Sequence, residues 1–140
     1  MYITDFLTNF VFRIIEVNFL NMTENNNITQ LIIEGIQDRK GKDITLVDLS
    51  EIEGTTISNF IICQGNTPTQ VAAIADSIRE SLLEKARIKP YNYDGYRNAQ
   101  WIVIDYGDTL VHVFTPDMRQ HYNLEGLWSD GVVTRVPDLD

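Results

Sequence analysis

Cysteine is nearly absent from this 140-residue chain, where Cys63 stands alone. One thiol cannot close an internal disulfide. With only two histidines beside it, the chain falls short of the clustered ligands a structural zinc site requires, so a zinc ribbon or finger is excluded. Basic residues are scarce as well: Lys and Arg number 11 against 20 Asp and Glu, a formal net charge of −9. Binding to phosphate backbones needs a surplus of Lys and Arg to release counterions, so direct, sequence-specific nucleic-acid binding is not expected and a basic partner is. Long apolar runs are missing too. Residues 1–21 are rich in Phe, Ile and Val, but Arg13 and Glu16 interrupt them. A membrane span needs about 20 nearly uncharged residues, and a signal peptide needs a positively charged start and a small-residue cleavage site. Neither is present, and the apolar positions follow no clean helical period, so an amphipathic helix lying on a membrane surface has weak support. The expectation is that translation starts at Met22, that residues 1–21 lie outside the folded domain, and that the protein is cytoplasmic.

What remains fits one domain, long enough to bury about two-thirds of its unfolded surface without staples. Asn27 and Gln30 resemble a capping pair, and Leu31, Ile32 and Ile36 alternate with Glu34, Gln37 and Asp38 in a short amphipathic helix ending near Gly41. Ile44–Leu49 and Asn59–Gln64 are short β-branched runs that suit strands covered on both faces. Thr67, Pro68 and Gln70 mark a helix start; Val71, Ala75, Ile78 and Leu82 then share one face, Lys85, Arg87 and Lys89 suit the C-terminal end of the dipole, and Pro90 stops the helix.

The most informative stretch is Trp101–Tyr106, Gly107-Asp108, Thr109–Phe114, a hairpin with a two-residue Gly-X turn. That turn sets Tyr106 opposite Thr109, Ile104 opposite Val111 and Ile102 opposite Val113 on a core face. The other face pairs Trp101 with Phe114, Val103 with His112 and Asp105 with Leu110, a mixture of large aromatics and titratable groups. Such a face suits either a half-exposed recognition surface or a sheet covered by a further helix. Thr115-Pro116-Asp117 begins a short helix through His121 or Tyr122, Leu124–Trp128 is a compact apolar strip, and residues 129–140 read as a loose, flexible tail. There is no internal repeat and no sign of a second domain.

Catalytic constellations are thin. Asp105 and Asp108 flank a chain reversal and do not converge as an Asp-x-Asp pair on one strand would, while Asp138 and Asp140, the one such pair, sit in the tail. His112 and His121 have no nucleophile in tandem, and Cys63 and the serines stand in no nucleophile-elbow context. Gly65-Asn66-Thr67 follows a strand and opens a helix, where backbone N–H groups can meet a phosphate, but it lacks the Gly spacing and Lys of phosphate-binding loops.

The ordered string Gly65-Asn66-Thr67, Gln70–Ala75, Trp101–Asp108, His112-Val113-Phe114, Arg119, Tyr122 and Leu124–Trp128, with Asp43-Ile44, Asp48-Leu49 and Asn59-Phe60 before it, resembles the ribosomal silencing factor family, also called RsfS or Iojap. The likeness runs from about Asn27 to Trp128; departures at Asn59, Asn66-Thr67-Pro68 and Gly126 leave the Trp101 hairpin untouched. The resemblance implies a single α/β domain over residues 22–128, with a mixed sheet of about five strands and helices packed on it. Its topology would be nucleotidyltransferase-like without the catalytic carboxylates, with no cofactor or metal. It further implies a non-enzymatic factor that binds the large ribosomal subunit through its fourteenth-numbered protein and blocks joining of the small subunit, repressing translation when nutrients are scarce. The alternatives are a role in large-subunit assembly, as in organellar relatives, and, more remotely, a nucleotidyltransferase-like enzyme. Carried onto this chain, the partner contacts are Trp101, Val103, Asp105, Tyr106, Asp108, His112, Phe114, Arg119 and Tyr122. Family members are described as homodimers, which makes Leu124, Leu127 and Trp128 candidate self-contacts unless Trp128 tucks back onto its own domain.

Overall fold

A computed structural model describes residues 28–54 and 57–139; the expectations for residues 1–21 and for an Asn27 cap lie outside that range. Helix α1 covers residues 28–38, followed by strand β1 (Lys42–Asp48) and strand β2 (Asn59–Gln64). Helix α2 (Pro68–Ala86) starts as its sequence suggests. Thr67 Oγ1 accepts the Gln70 backbone N–H at 3.1 Å, while Gln70 Oε1 reaches one residue beyond the cap to accept from Asn66 N at 2.7 Å. It ends before Pro90, at a left-handed Arg87, where the N–H groups of Arg87 and Ile88 return to the Leu83 and Leu82 carbonyls.

Strand β3 (Asn92–Asp94), the hairpin β4 (Trp101–Asp105) and β5 (Thr109–Phe114), helix α3 (Pro116–Tyr122), one-turn helix α4 (Leu124–Leu127) and strand β6 (Val132–Arg135) complete the chain. The strands form one mixed sheet in the order β3-β4-β5-β2-β1-β6, antiparallel throughout except for β2 beside β5. The α/β class with a mixed sheet is as expected, but the sheet holds six strands instead of about five.

The difference lies at the edges. The segment expected to be a loose tail supplies β6, which pairs with the outer edge of β1 from Thr45–Arg135 to Asp48–Val132. Beyond it, Val136 N donates to Ile44 O at 2.9 Å, and the Asp138 carboxylate accepts from Asp43 N, also at 2.9 Å. β1 would otherwise present a row of unpaired backbone groups, and this pairing satisfies them.

Helices α1 and α2 cover one sheet face and run in opposite directions, Ser81 Oγ donating to Leu31 O at 3.0 Å and Ser77 Oγ to Gly35 O at 2.7 Å. A Cβ on Gly35 would lie 2.9 Å from the Ile78 Cα, so glycine is what permits this approach. Between these helices and the sheet lies the main core, including Ile61, Cys63, Val71, Ile74, Ile78, Ile102, Ile104 and Val111. A smaller core on the opposite face joins Val47, Leu49, Phe60, Ile62 and Phe114 to Met118, Leu124 and Trp128 from α3, α4 and the residue after it. α3 and α4 are too short to cover that whole face. The strip along β4 and β3 stays open.

Candidate recognition face

The hairpin has the register its turn demands. Trp101 opposes Phe114, Val103 opposes His112 and Asp105 opposes Leu110, while Gly107 takes φ +94° and Tyr106 N donates to Thr109 O at 2.9 Å. The apolar partners Ile102, Ile104, Val111 and Val113 are buried against α2, so the mixed side chains are forced to the half-covered face.

On that face, side chains from four elements form one aromatic stack. The Trp101 indole lies 5.1 Å from the Phe114 ring at 21° and 4.6 Å from Tyr122, the last residue of α3. Its Nε1–H donates to His112 Nδ1 at 3.1 Å. Phe60 meets His112 edge-on at 4.9 Å and Trp128 edge-on at 5.6 Å, extending the stack across β2. Its outer members reach the surface: Trp101 and Trp128 are half-buried and Tyr122 is 46% exposed. Both readings of this face therefore hold in part, with α3 and α4 sealing the Phe114 end and leaving the Trp101–Val103–Asp105 strip accessible.

Of the expected contact residues, Trp101, Val103, Asp105 and Tyr122 lie on this accessible surface, and Asp108 is exposed in the turn beside it. Four others do not. Tyr106 lies on the core face with its hydroxyl buried, and burial raises its pKa to about 12. Phe114 is fully buried, and His112 is nearly so, its pKa pushed down to about 4 by loss of solvent. Arg119 is an internal clamp whose guanidinium donates to Asp43 O at 2.6 Å, Thr45 Oγ1 at 2.8 Å and Gln64 Oε1 at 3.3 Å, and lies 3.4 Å from the Glu125 carboxylate. It ties α3 to β1, β2 and α4, which gives Arg119 a structural role inside the domain. Among the candidate self-contacts, Trp128 and Leu124 pack on the second core, whereas Leu127 is 71% exposed.

β3 adds residues that the sequence reading left out. Asp94 sits opposite Val103 and Asn92 opposite Asp105, extending the open strip, and Asp94, Asp105 and Asp108 give its rim one sign of charge. The signal was present in Tyr91-Asn92-Tyr93-Asp94-Gly95, an aromatic-polar alternation closed by glycine.

The structure supplies little for catalysis. Cys63 is fully buried and its thiol is pushed up to about 12, which leaves no thiolate at neutral pH. Around Gly65-Asn66-Thr67 the donors are already taken, Gly65 N by Phe114 O at 2.9 Å and Asn66 N by Gln70. Among the described residues, no three His, Cys, Asp or Glu side chains gather as metal ligands, and no helix is long and apolar enough to cross a membrane.

Fold and face together define a single α/β domain whose sheet is sealed on one side and carries an acid-rimmed aromatic surface on the other. The family described as "Ribosomal silencing factor during starvation" (RsfS) matches residues 22–140, and the chain belongs to that family. It is 37% identical to the ribosomal silencing factor RsfS of Halalkalibacterium halodurans over 76% of this chain and 89% of that protein. The RsfS of Bacillus subtilis is 36% identical over 81% of this chain and 92% of its own length. A crystal structure from Chromobacterium violaceum superposes with a TM-score of 0.70 at 34% identity, covering 74% of this chain and 85% of that one. The match to residues 22–140 takes in the segment that forms β6.

Proposed function

We propose that this protein acts without catalysis in the cytoplasm, docking on the large ribosomal subunit through the subunit's fourteenth-numbered protein and sterically preventing the small subunit from joining. Translation would fall under nutrient limitation as a result. Membership of a family named for silencing ribosomes supports the process. The observation that carries the docking reading is the half-buried Trp101 in its ring stack with Tyr122 and Phe114 beside an acidic rim. Interface hot spots are such aromatics at the centre of a patch, ringed by groups that exclude water and steer the encounter. A chain of charge −9 is repelled by ribosomal RNA, so a basic ribosomal protein is the fitting receptor.

Sedimentation of the full chain with isolated large subunits, small subunits and joined ribosomes on sucrose gradients tests this. Co-migration with large subunits alone, and fewer joined ribosomes, is the expected outcome. Trp101→Ala should weaken that binding by about 2 kcal/mol, or roughly 30-fold, with the fold retained. Unchanged co-sedimentation of a folded Trp101→Ala protein would refute the assignment of the face.

A further inference from the structure

His112 is the one member of the aromatic stack whose presence packing does not explain. It is 5% exposed, with Val103 opposite it on β4 and Ile62 beside it on β2. Its Nε2 is buried with no hydrogen-bond partner. A leucine in that place would carry no unsatisfied nitrogen of its own, and a native structure that retains such an atom asks for a reason. The reason lies at the other ring nitrogen. Nδ1 accepts the Trp101 indole N–H at 3.1 Å, which requires a neutral ring with its proton on Nε2. Burial, which drives the pKa to about 4, keeps the ring in that form at neutral pH.

The indole has a single donor, and its ring contacts with Phe114 and Tyr122 restrict the plane of the ring more than the direction in which its polar edge points. A hydrogen bond is directional and settles that choice. The acceptor is itself held, since the imidazole lies edge-on to Phe60 at 4.9 Å and stacks over Phe114 at 14°.

We propose that His112 is a positioning residue, its Nδ1 fixing the Trp101 indole in the orientation that presents Trp101 and Tyr122 as one continuous docking surface. The inference rests on the docking reading above for its consequence, but its first readout does not need the ribosome. A purely structural residue would lose stability and binding together when replaced, whereas a positioning residue separates them.

In His112→Leu the unsatisfied nitrogen and the acceptor both disappear. The thermal midpoint is expected to stay level or rise, while the Trp101 indole N–H resonance moves upfield and exchanges faster, and large-subunit affinity drops about tenfold through lost preorganisation. The chain has two tryptophans, so Trp101→Phe assigns the resonance. His112→Asn keeps an acceptor near the Nδ1 position and should restore both signal and affinity. Should His112→Leu fail to fold, His112→Phe, which keeps a ring against Phe60 and Phe114 and deletes only the acceptor, should show the same indole shift and the same affinity loss. An unmoved indole resonance, undiminished affinity in His112→Leu, or parallel loss of stability and affinity that asparagine does not rescue would overturn the proposal. A shifted resonance in a protein whose wild type never co-sediments would leave His112 positioning Trp101 and remove the ribosomal reading instead.

Discussion

At the scale of single residues, Arg119 and His112 are two polar side chains buried in the domain, and each makes a measurable demand on stability. Arg119 spreads its hydrogen bonds over Asp43, Thr45, Gln64 and Glu125 from a site only 7% exposed. Removing it strands those acceptors and the Glu125 charge, so Arg119→Ala is expected to lower unfolding free energy by about 3 kcal/mol or more in urea titrations. Arg119→Lys should recover little, because an ammonium cannot span four separate acceptors. His112 acts through its proton. Its folded pKa, about 4, lies below the ordinary value near 6.5, so the unfolded chain binds that proton more readily. Its contribution to stability is therefore complete above about pH 6.5 and is lost progressively as the pH falls toward 4, on the order of 3 kcal/mol in all. Urea unfolding at pH 7.5 and pH 5 should show a smaller drop for His112→Leu than for wild type; equal drops would mean that carboxylates alone set the acid sensitivity.

At the scale of elements, what could be read from the sequence and what could not divides along burial. The β4–β5 register follows from Gly107-Asp108 and strict alternation, and α2 from its Thr67-Pro68 start, because each carries a local signal that tertiary packing then reinforces. β3 and β6 have only three and four residues, all exposed; β3 carries an aromatic-polar alternation too short to stand out, β6 none, and pairing with β4 and β1 makes them strands. The face of each side chain on the hairpin was equally legible, but the depth was not. Phe114 and His112 lie on the correct face and are covered by neighbours from α3 and β2 that no local pattern could place. The contact between α1 and α2 is of the same non-local kind. Gly35→Ala would be mildly favourable in an isolated helix, yet here its Cβ meets the Ile78 backbone at 2.9 Å. The variant should be destabilised by roughly 1–3 kcal/mol as the helices are pushed apart, read as a lower urea midpoint at unchanged slope.

At the scale of the whole molecule, charge and aromatic surface are separate, and they should separate in kinetics as well. The net charge of −9 is spread over the molecule, and the rim of the open strip adds Asp94, Asp105 and Asp108 where a partner would approach. Long-range attraction to a basic partner accelerates encounter and is screened by salt, whereas a packed aromatic anchor resists departure and is nearly indifferent to salt. Trp101→Ala is therefore expected to raise the dissociation rate from immobilised large subunits with little change in association. An Asp94→Asn and Asp105→Asn double variant should slow association several-fold and flatten its dependence on ionic strength while leaving dissociation nearly as it was. The contrast depends on geometry, since Asp94 and Asp105 sit at the margin beside Val103 and the turn, and the Trp101 ring packs against both Phe114 and Tyr122. If the aspartate pair instead governed dissociation, those carboxylates would be desolvated contacts at the centre of the interface, and the centre of the docking surface would have to be moved from the Trp101 stack to the β3 edge.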